Sequence, residues 1–377
     1  MSTKKFYKSA ALVAIGLFLT LNGSFTLSAA LGSARIKGMD QNGVLQTIDS
    51  AVQQYRSSEQ PDVVLLGSSL IMSPVWTADF HRFGHVGDFY RHHRSYLLEK
   101  KLAADGGQPA KVFSFAVPGA MVSDMDLIVD KVLTGARKPS LVVYGVAPRD
   151  FMDDLAGGET KTATFSRLGE VSDLSKQNFA ASTTDEKLEL VFNRACYLFG
   201  KRTRYQAKTD AYFRKLAHTA AAPNQDQFAV AASLNVCPLF QPKPILWQKS
   251  LEEYRMRYQR FNQTQFKKQE QFLQDMISTC DKNGIRILLV NMPLTETNIK
   301  LMPDGLYDKY RTMLRDISAK NNISLLDLTK QKYKDDYFYD TVHLNDAGAE
   351  PFLTSLNKSI REEQAHSSLA SRSLKSL

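Results

Sequence analysis

Five short apolar runs punctuate the chain: Val63–Leu66, Lys111–Val117 (KVFSFAV), Leu141–Val146, Ile285–Val290 and Ile323–Leu328. Each is rich in β-formers, and Gly67, Pro118 and Asn291 close the first, second and fourth, which is the signature of buried strands. They do not alternate with polar residues, so both faces of the sheet they build are covered, as in a parallel sheet. Helical spacing fills the intervals: Gly43–Tyr55, Tyr90–Leu102, Val122–Leu133 with Ser123 and Asp124 as cap residues, Tyr307–Ala319, and a last helix that begins at Asp346–Leu356. Leu251, Tyr254, Tyr258, Phe261, Phe272, Met276 and Cys280 fall on or near one face, which predicts one long helix stopped at Gly284. Strands alternating with helices predict an α/β fold with right-handed crossovers. Five of them suggest a three-layer, flavodoxin-like, doubly wound sheet in the order 2-1-3-4-5.

The pattern breaks between the third and fourth strands. Gly157–Lys187 is polar, Leu188–Tyr205 looks helical, and His218–Pro244 is rich in Ala, Gln, Asn and Pro. We read residues about 157–250 as a mostly helical and loop insertion leaving the strand-end face. The domain proper then spans 36–365, and the Ser-rich residues 366–377 form a disordered tail. At the other end, Lys4, Lys5 and Lys8 precede an uncharged stretch from Ser9 to Ser33. It is long enough to cross a bilayer once, with the basic flank inside and the body of the protein outside the cytoplasm. The small residues Ser28–Ala30 also suit signal-peptide cleavage. We favour an uncleaved signal anchor over residues 1–35, with a secreted or periplasmic protein as the alternative.

Composition changes this picture little. The 377 residues are 43% hydrophobic and 23% charged, with a net charge of +9. The excess is spread out rather than gathered in a patch with interleaved stacking aromatics, so nucleic acid is not an expected partner. Attraction to anionic lipid or polymer fits better. The three cysteines, Cys196, Cys237 and Cys280, form no CxxC, and their odd number excludes a complete intramolecular disulfide set; a Cys196–Cys237 bridge stays open. There is no GxGxxG or GxxxxGK[ST], hence no support for nucleotide binding. His81 and His85 are spaced i, i+4, with His92 and His93 nearby, but there is no HExxH. A metal site would need a third ligand with supporting partners, so we read these histidines as solvated or packed and expect no cofactor.

Two short stretches carry candidate chemistry. Gly67-Ser68-Ser69-Leu70 leaves the first strand at the carboxyl edge of the sheet, where open α/β folds bind ligands. Far downstream, Asp340-Thr-Val-His343 follows the last strand, on the same edge. Serine needs a base to become a nucleophile at neutral pH, histidine has the right basicity, and a carboxylate on the other ring nitrogen fixes the tautomer.

These two blocks resemble the first and last blocks of the SGNH (GDSL-type) hydrolases over roughly Pro61–Asp150 and Gly284–Leu356, with Ser68 where that superfamily usually has aspartate. The resemblance implies Ser69 as nucleophile, His343 as base and Asp340 as its orienter. It also implies an oxyanion hole that includes the amides of Ser69 and Gly119. The family's third donor, an asparagine in Gly-x-Asn-Asp, is absent: the chain reads Gly145-Val-Ala-Pro-Arg149-Asp150. Arg149 could contact an anionic substrate or pair with Asp150 or Asp153; Asn291, at the end of the fourth strand, could face the cleft or cap its turn. The variant blocks behind an amino-terminal anchor are similar to envelope acyl-transfer proteins of the superfamily, such as the D-alanylation protein of teichoic acids and the alginate O-acetylation proteins, and to anchored SGNH-like proteins of cyanobacteria. That resemblance implies a serine esterase or O-acyltransferase acting on an acylated envelope carbohydrate or polymer, with envelope acyltransferases as partners. The alternative is a non-catalytic envelope-polymer binding or assembly protein that keeps the fold.

Overall fold

The computed structural model describes residues 13, 16–20, 43–84, 86, 88–104, 109–152, 159, 162–169, 239–259, 261–330 and 333–375. Two compact units divide the chain, Met1–Gln41 with Gly169–Pro223, and Asn42–Leu168 with Asn224–Leu377. In the first, Val13 and Gly16–Thr20 are helical and Gly169 is not. Most of the expected anchor, most of the insertion, Cys196 and Cys237 lie outside the described residues. Among the described residues, no helix is long and apolar enough to cross a membrane.

The second unit is built on five parallel strands, β1 (Val63–Gly67), β2 (Val112–Ala116), β3 (Leu141–Val146), β4 (Arg286–Asn291) and β5 (Ser324–Asp327), in the order β2-β1-β3-β4-β5. This is the expected flavodoxin-like order. β1, β2 and β3 are buried along their whole length, which is why their sequences show no polar alternation. Register sets Gly67 opposite both Ala116 and Gly145, so the three ends form one rim.

Right-handed crossovers divide the helices between two faces, because the chain reverses direction across the sheet after β2. α1 (Gly43–Ser57) leads in, α2 (Ser69–Phe83) and α3 (Tyr96–Ala103) join β1 to β2, and α4 (Val122–Ile128) with a wider π turn over Val129–Leu133 joins β2 to β3. After β3 come α5 (Arg149–Met152), α6 (Ala163–Leu168), α7 (Lys243–Gln259) and α8 (Gln263–Lys282). α9 (Glu296–Ile299) and α10 (Leu306–Asn321) join β4 to β5, and α11 (Asp346–Lys375) ends the fold. α2, α3 and α11 pack on one another; α8 packs on α4 and α5.

Four expectations need correction. The run after Ser69 is a 15-residue helix, α2, which the sequence pattern did not reveal. Pro74 lies inside it and Leu70 through Asp79 are all buried, so there is no polar face to mark a helical period. α3 begins only at Tyr96, not Tyr90, with Asp79 of α2 accepting the Tyr96 and Leu97 amides at 2.8 Å each. The single long helix through Phe261 is two helices: Asn262 interrupts it and its side chain accepts the amides of Thr264 and Gln265, a helix N-cap. Finally, α11 runs on to Lys375 through the residues expected as a disordered tail.

Candidate active site

β1 delivers the chain to the rim, where two glycines allow a close approach. Gly67 has φ +152°, and a Cβ there would lie 2.7 Å from the Gly145 carbonyl oxygen and from Ile71 Cγ1. A Cβ on Gly145 would lie 2.2 Å from Ile71 Cδ1. Glycine at both positions lets the first turn of α2 settle onto the ends of β1 and β3.

The two serines then separate. Ser68 is extended (φ −89°, ψ −164°), 1% exposed, and its hydroxyl has no hydrogen-bond partner among the described residues. Ser69 is the first residue of α2 and only half-buried. Its Oγ lies 2.8 Å from His343 Nε2. The other ring nitrogen, Nδ1, lies 2.7 Å from Asp340 Oδ2. The three residues singled out in the sequence thus form one continuous chain.

The Asp340–His343 turn is self-supporting. Asp340 Oδ1 accepts the amides of Val342 and His343, each at 2.8 Å. Phe338 and Leu344 bridge across its base, and the Tyr339 amide donates to the His343 carbonyl at 2.8 Å. Ser73, one turn after Ser69, donates to the Leu344 carbonyl at 2.8 Å and ties the turn to α2. The i, i+4 spacing from Ser69 was the available signal for it. Burial pushes the Asp340 carboxyl up, but His343 and the two amides outweigh it and hold the group below the ordinary carboxylate range. An ionised Asp340 can only accept, so the proton sits on Nδ1 and Nε2 of the neutral ring is left to accept from the Ser69 hydroxyl.

Backbone donors lie on the same rim. The amide of Ser69 is one of those that the first turn of a helix cannot satisfy internally, and no hydrogen bond to it is found among the described residues. The same holds for the amide of Gly119, an exposed left-handed residue (φ +72°) after β2.

Arg149 and Asn291 turn inward. Arg149 is 4% exposed; its Nη2 donates to the Ala120 carbonyl at 2.8 Å and to Asp150 Oδ1 at 2.7 Å, while Asp150 Oδ2 accepts the Ala147 amide at 2.9 Å. Of its two readings the ion pair with Asp150 is the one observed, and it braces the turn that carries Gly119. Asn291 is not a cleft residue. Register places it opposite Asp327, to which its Nδ2 donates at 2.9 Å, and its Oδ1 accepts the Tyr310 hydroxyl at 3.0 Å. It joins β4, β5 and α10.

The histidines do not converge. His92 pairs with buried Asp79 at 2.8 Å, whereas His93 bonds Ser50 at 2.5 Å and the Ser114 carbonyl at 3.1 Å. His81 is exposed, and His85 lies outside the described residues. Cys280 is buried and unbridged, and burial pushes its thiol up to about 12, far from a thiolate nucleophile.

Residues 94–358 match a family model described as "Protein of unknown function (DUF1574)"; the match contains Asp340 and His343 and starts downstream of Ser69. No curated protein matches the chain. Similar solved structures include an acetyl xylan esterase, AlAXEase, at 14% identity and TM-score 0.36, covering 79% of this chain and 98% of that one. A GDSL-like lipase from Bacteroides thetaiotaomicron is similar at 10% identity and TM-score 0.38, covering 85% and 99%.

Proposed function

The chain belongs to the DUF1574 family, and from the geometry at its strand ends we propose that it is an SGNH-type serine enzyme that cleaves or transfers ester-linked acyl groups. The observation that carries this reading is the unbroken Ser69–His343–Asp340 chain, at 2.8 and 2.7 Å.

In this reading Ser69 Oγ attacks the ester carbonyl carbon while His343 Nε2 takes the hydroxyl proton. The carbonyl oxygen becomes an oxyanion, met by the amides of Ser69 and Gly119. Collapse breaks the bond to the alcohol, which leaves with the proton held on the imidazolium. Water or an acceptor hydroxyl, deprotonated by His343, then attacks the acyl-serine and releases Ser69. Asp340 stays ionised throughout and keeps the ring in the tautomer that both halves require. The uncharged stretch Ser9–Ser33 behind three lysines supports an anchored enzyme outside the cytoplasm. The net charge of +9 suits an anionic, acylated polymer of the envelope as substrate, with envelope acyltransferases as partners.

A fluorophosphonate probe tests the reading. The wild-type protein is expected to be labelled, and Ser69→Ala to abolish labelling. Labelling that persists in Ser69→Ala and vanishes in Ser68→Ala transfers the role to Ser68. Acyl release from ester donors, with and without a sugar acceptor, then separates hydrolysis from transfer.

One observation favours a second reading, a binding protein that retains the fold. The turn after β3 offers no side-chain amide, and the Arg149 guanidinium that stands there is engaged with Ala120 and Asp150. An unlabelled wild-type protein, and function unchanged in His343→Ala, would establish it.

A further inference from the structure

Between Asp340 and Val342 lies Thr341, fully buried, whose side chain meets a set of buried polar groups. Its Oγ1 is 2.5 Å from Ser250 Oγ of α7 and accepts from Asn298 Nδ2 of α9 at 3.1 Å. Its carbonyl accepts the Thr295 hydroxyl at 2.8 Å. Asn298 Oδ1 accepts the Tyr258 hydroxyl at 2.8 Å, and the Asn298 amide donates to Thr295 Oγ1 at 3.1 Å. Ser250, Tyr258, Thr295 and Asn298 are all buried. Either hydroxyl can donate in the Thr341–Ser250 bond, and each group in the set has a partner.

We propose that Thr341, held by Asn298 and Ser250, is the positioning residue that sets the angle at which the Asp340–His343 turn presents its imidazole to Ser69. This rests on the acyl-transfer reading above. Inside the turn, the bonds from Asp340 fix the ring relative to its own backbone, but nothing in them fixes the turn relative to the sheet. Ser73 holds one end through Leu344. Thr341 holds the other, from two helices that contribute nothing to the reacting groups. Buried polar networks with every member satisfied have one low-energy arrangement, and removing one member leaves its partners desolvated. A turn freed at that end moves the imidazole by a fraction of an ångström to an ångström, enough to slow proton transfer.

The test compares the fluorophosphonate labelling rate of folded full-length protein for wild type, Thr341→Val, Thr341→Ser, Ser250→Ala and Ser69→Ala. Thr341→Val, which keeps the shape and removes the hydroxyl, is expected to slow labelling by about tenfold or more, and Thr341→Ser to restore it to near the wild-type rate. A second readout is independent of reaction: the NMR resonance of the His343 Nδ1 proton should move or broaden in Thr341→Val and return in Thr341→Ser. A merely structural role would lower the melting temperature and leave both readouts of the folded protein unchanged, which overturns the proposal. If Thr341→Val does not fold, Ser250→Ala serves instead: a slower rate with a displaced His343 resonance supports the proposal, and wild-type values for both refute it. Wild-type protein that resists the probe counts against the acyl-transfer reading and, with it, against this role.

Discussion

Asp340 and His343 are joined twice. One carboxylate oxygen of Asp340 accepts the His343 backbone amide and the other accepts the ring Nδ1–H, at 2.8 and 2.7 Å. The side chain that orients the ring therefore also shapes the turn that carries it. Asp340→Asn can keep the backbone bond through its amide oxygen, yet it can no longer accept from Nδ1–H on the other side. The ring is driven to the wrong tautomer, and turnover of an activated ester should fall about 10,000-fold with the fold intact. A loss below tenfold would show that the pair is structural.

Arg149 and Asp150 should behave as a buried ion pair. Arg149→Met removes the cation beside the Asp150 carboxylate, 1% exposed, at a cost of about 3–5 kcal/mol in chemical denaturation. Arg149→Met with Asp150→Asn should recover part of that loss, because asparagine can still accept the Ala147 amide. Equal losses in the single and double variants would contradict the pairing.

The Gly145 contact with Ile71 can be tested by its own repair. Gly145→Ala forces a methyl into Ile71 and should destabilise by about 1–3 kcal/mol. Adding Ile71→Ala opens the space, so the double variant should lose at least about 1 kcal/mol less than the sum of the singles. Strict additivity would mean that α2 is not seated on those glycines.

His93 should shape the acid limb of stability. Burial, first, and then the neighbouring His92 push it from 6.5 down to about 4, against the Ser114 carbonyl bond that raises it. The folded state keeps the ring neutral while the unfolded chain takes a proton, so stability falls as pH drops from 6.5 towards 4, by up to ~3 kcal/mol. Asp124 opposes this: burial raises it from 3.8 to about 6, so its contribution is full below 3.8 and is lost as pH rises through 6. His93→Gln should flatten the fall, and Asp124→Asn should steepen it. A limb unchanged by either substitution would refute both assignments.

The fold and the reacting side chains were legible for different reasons. Val63–Leu66 and Leu141–Val146 announce buried strands because no charged residue interrupts them, Ile285–Val290 does so despite Arg286 near its start, and the sheet order followed from their alternation with helices. Ser69 was legible because it lies just past the end of β1, and Asp340–His343 because it follows the last strand. What escaped was set by burial and by long-range pairing. α2 hid because every side is covered, and Asn291 looked cleft-facing because nothing local betrays Asp327 or Tyr310. Thr341 meets Ser250 and Asn298 across 91 and 43 positions of chain, and no pattern at Asp340–His343 points to either.

Among the described residues the amide of Ser69, the first residue of α2, has no hydrogen-bond acceptor, and this donor does not depend on a side chain. The Ser69 amide and the amino-terminal end of the 15-residue helix α2 carry positive partial charge from peptide groups, which any amino acid but proline supplies. In the acyl-transfer reading, a protein that varies at position 68, or lacks the asparagine after the third strand, still keeps a field ready for a developing anion. A survey that scores only side chains would mistake such proteins for inert ones.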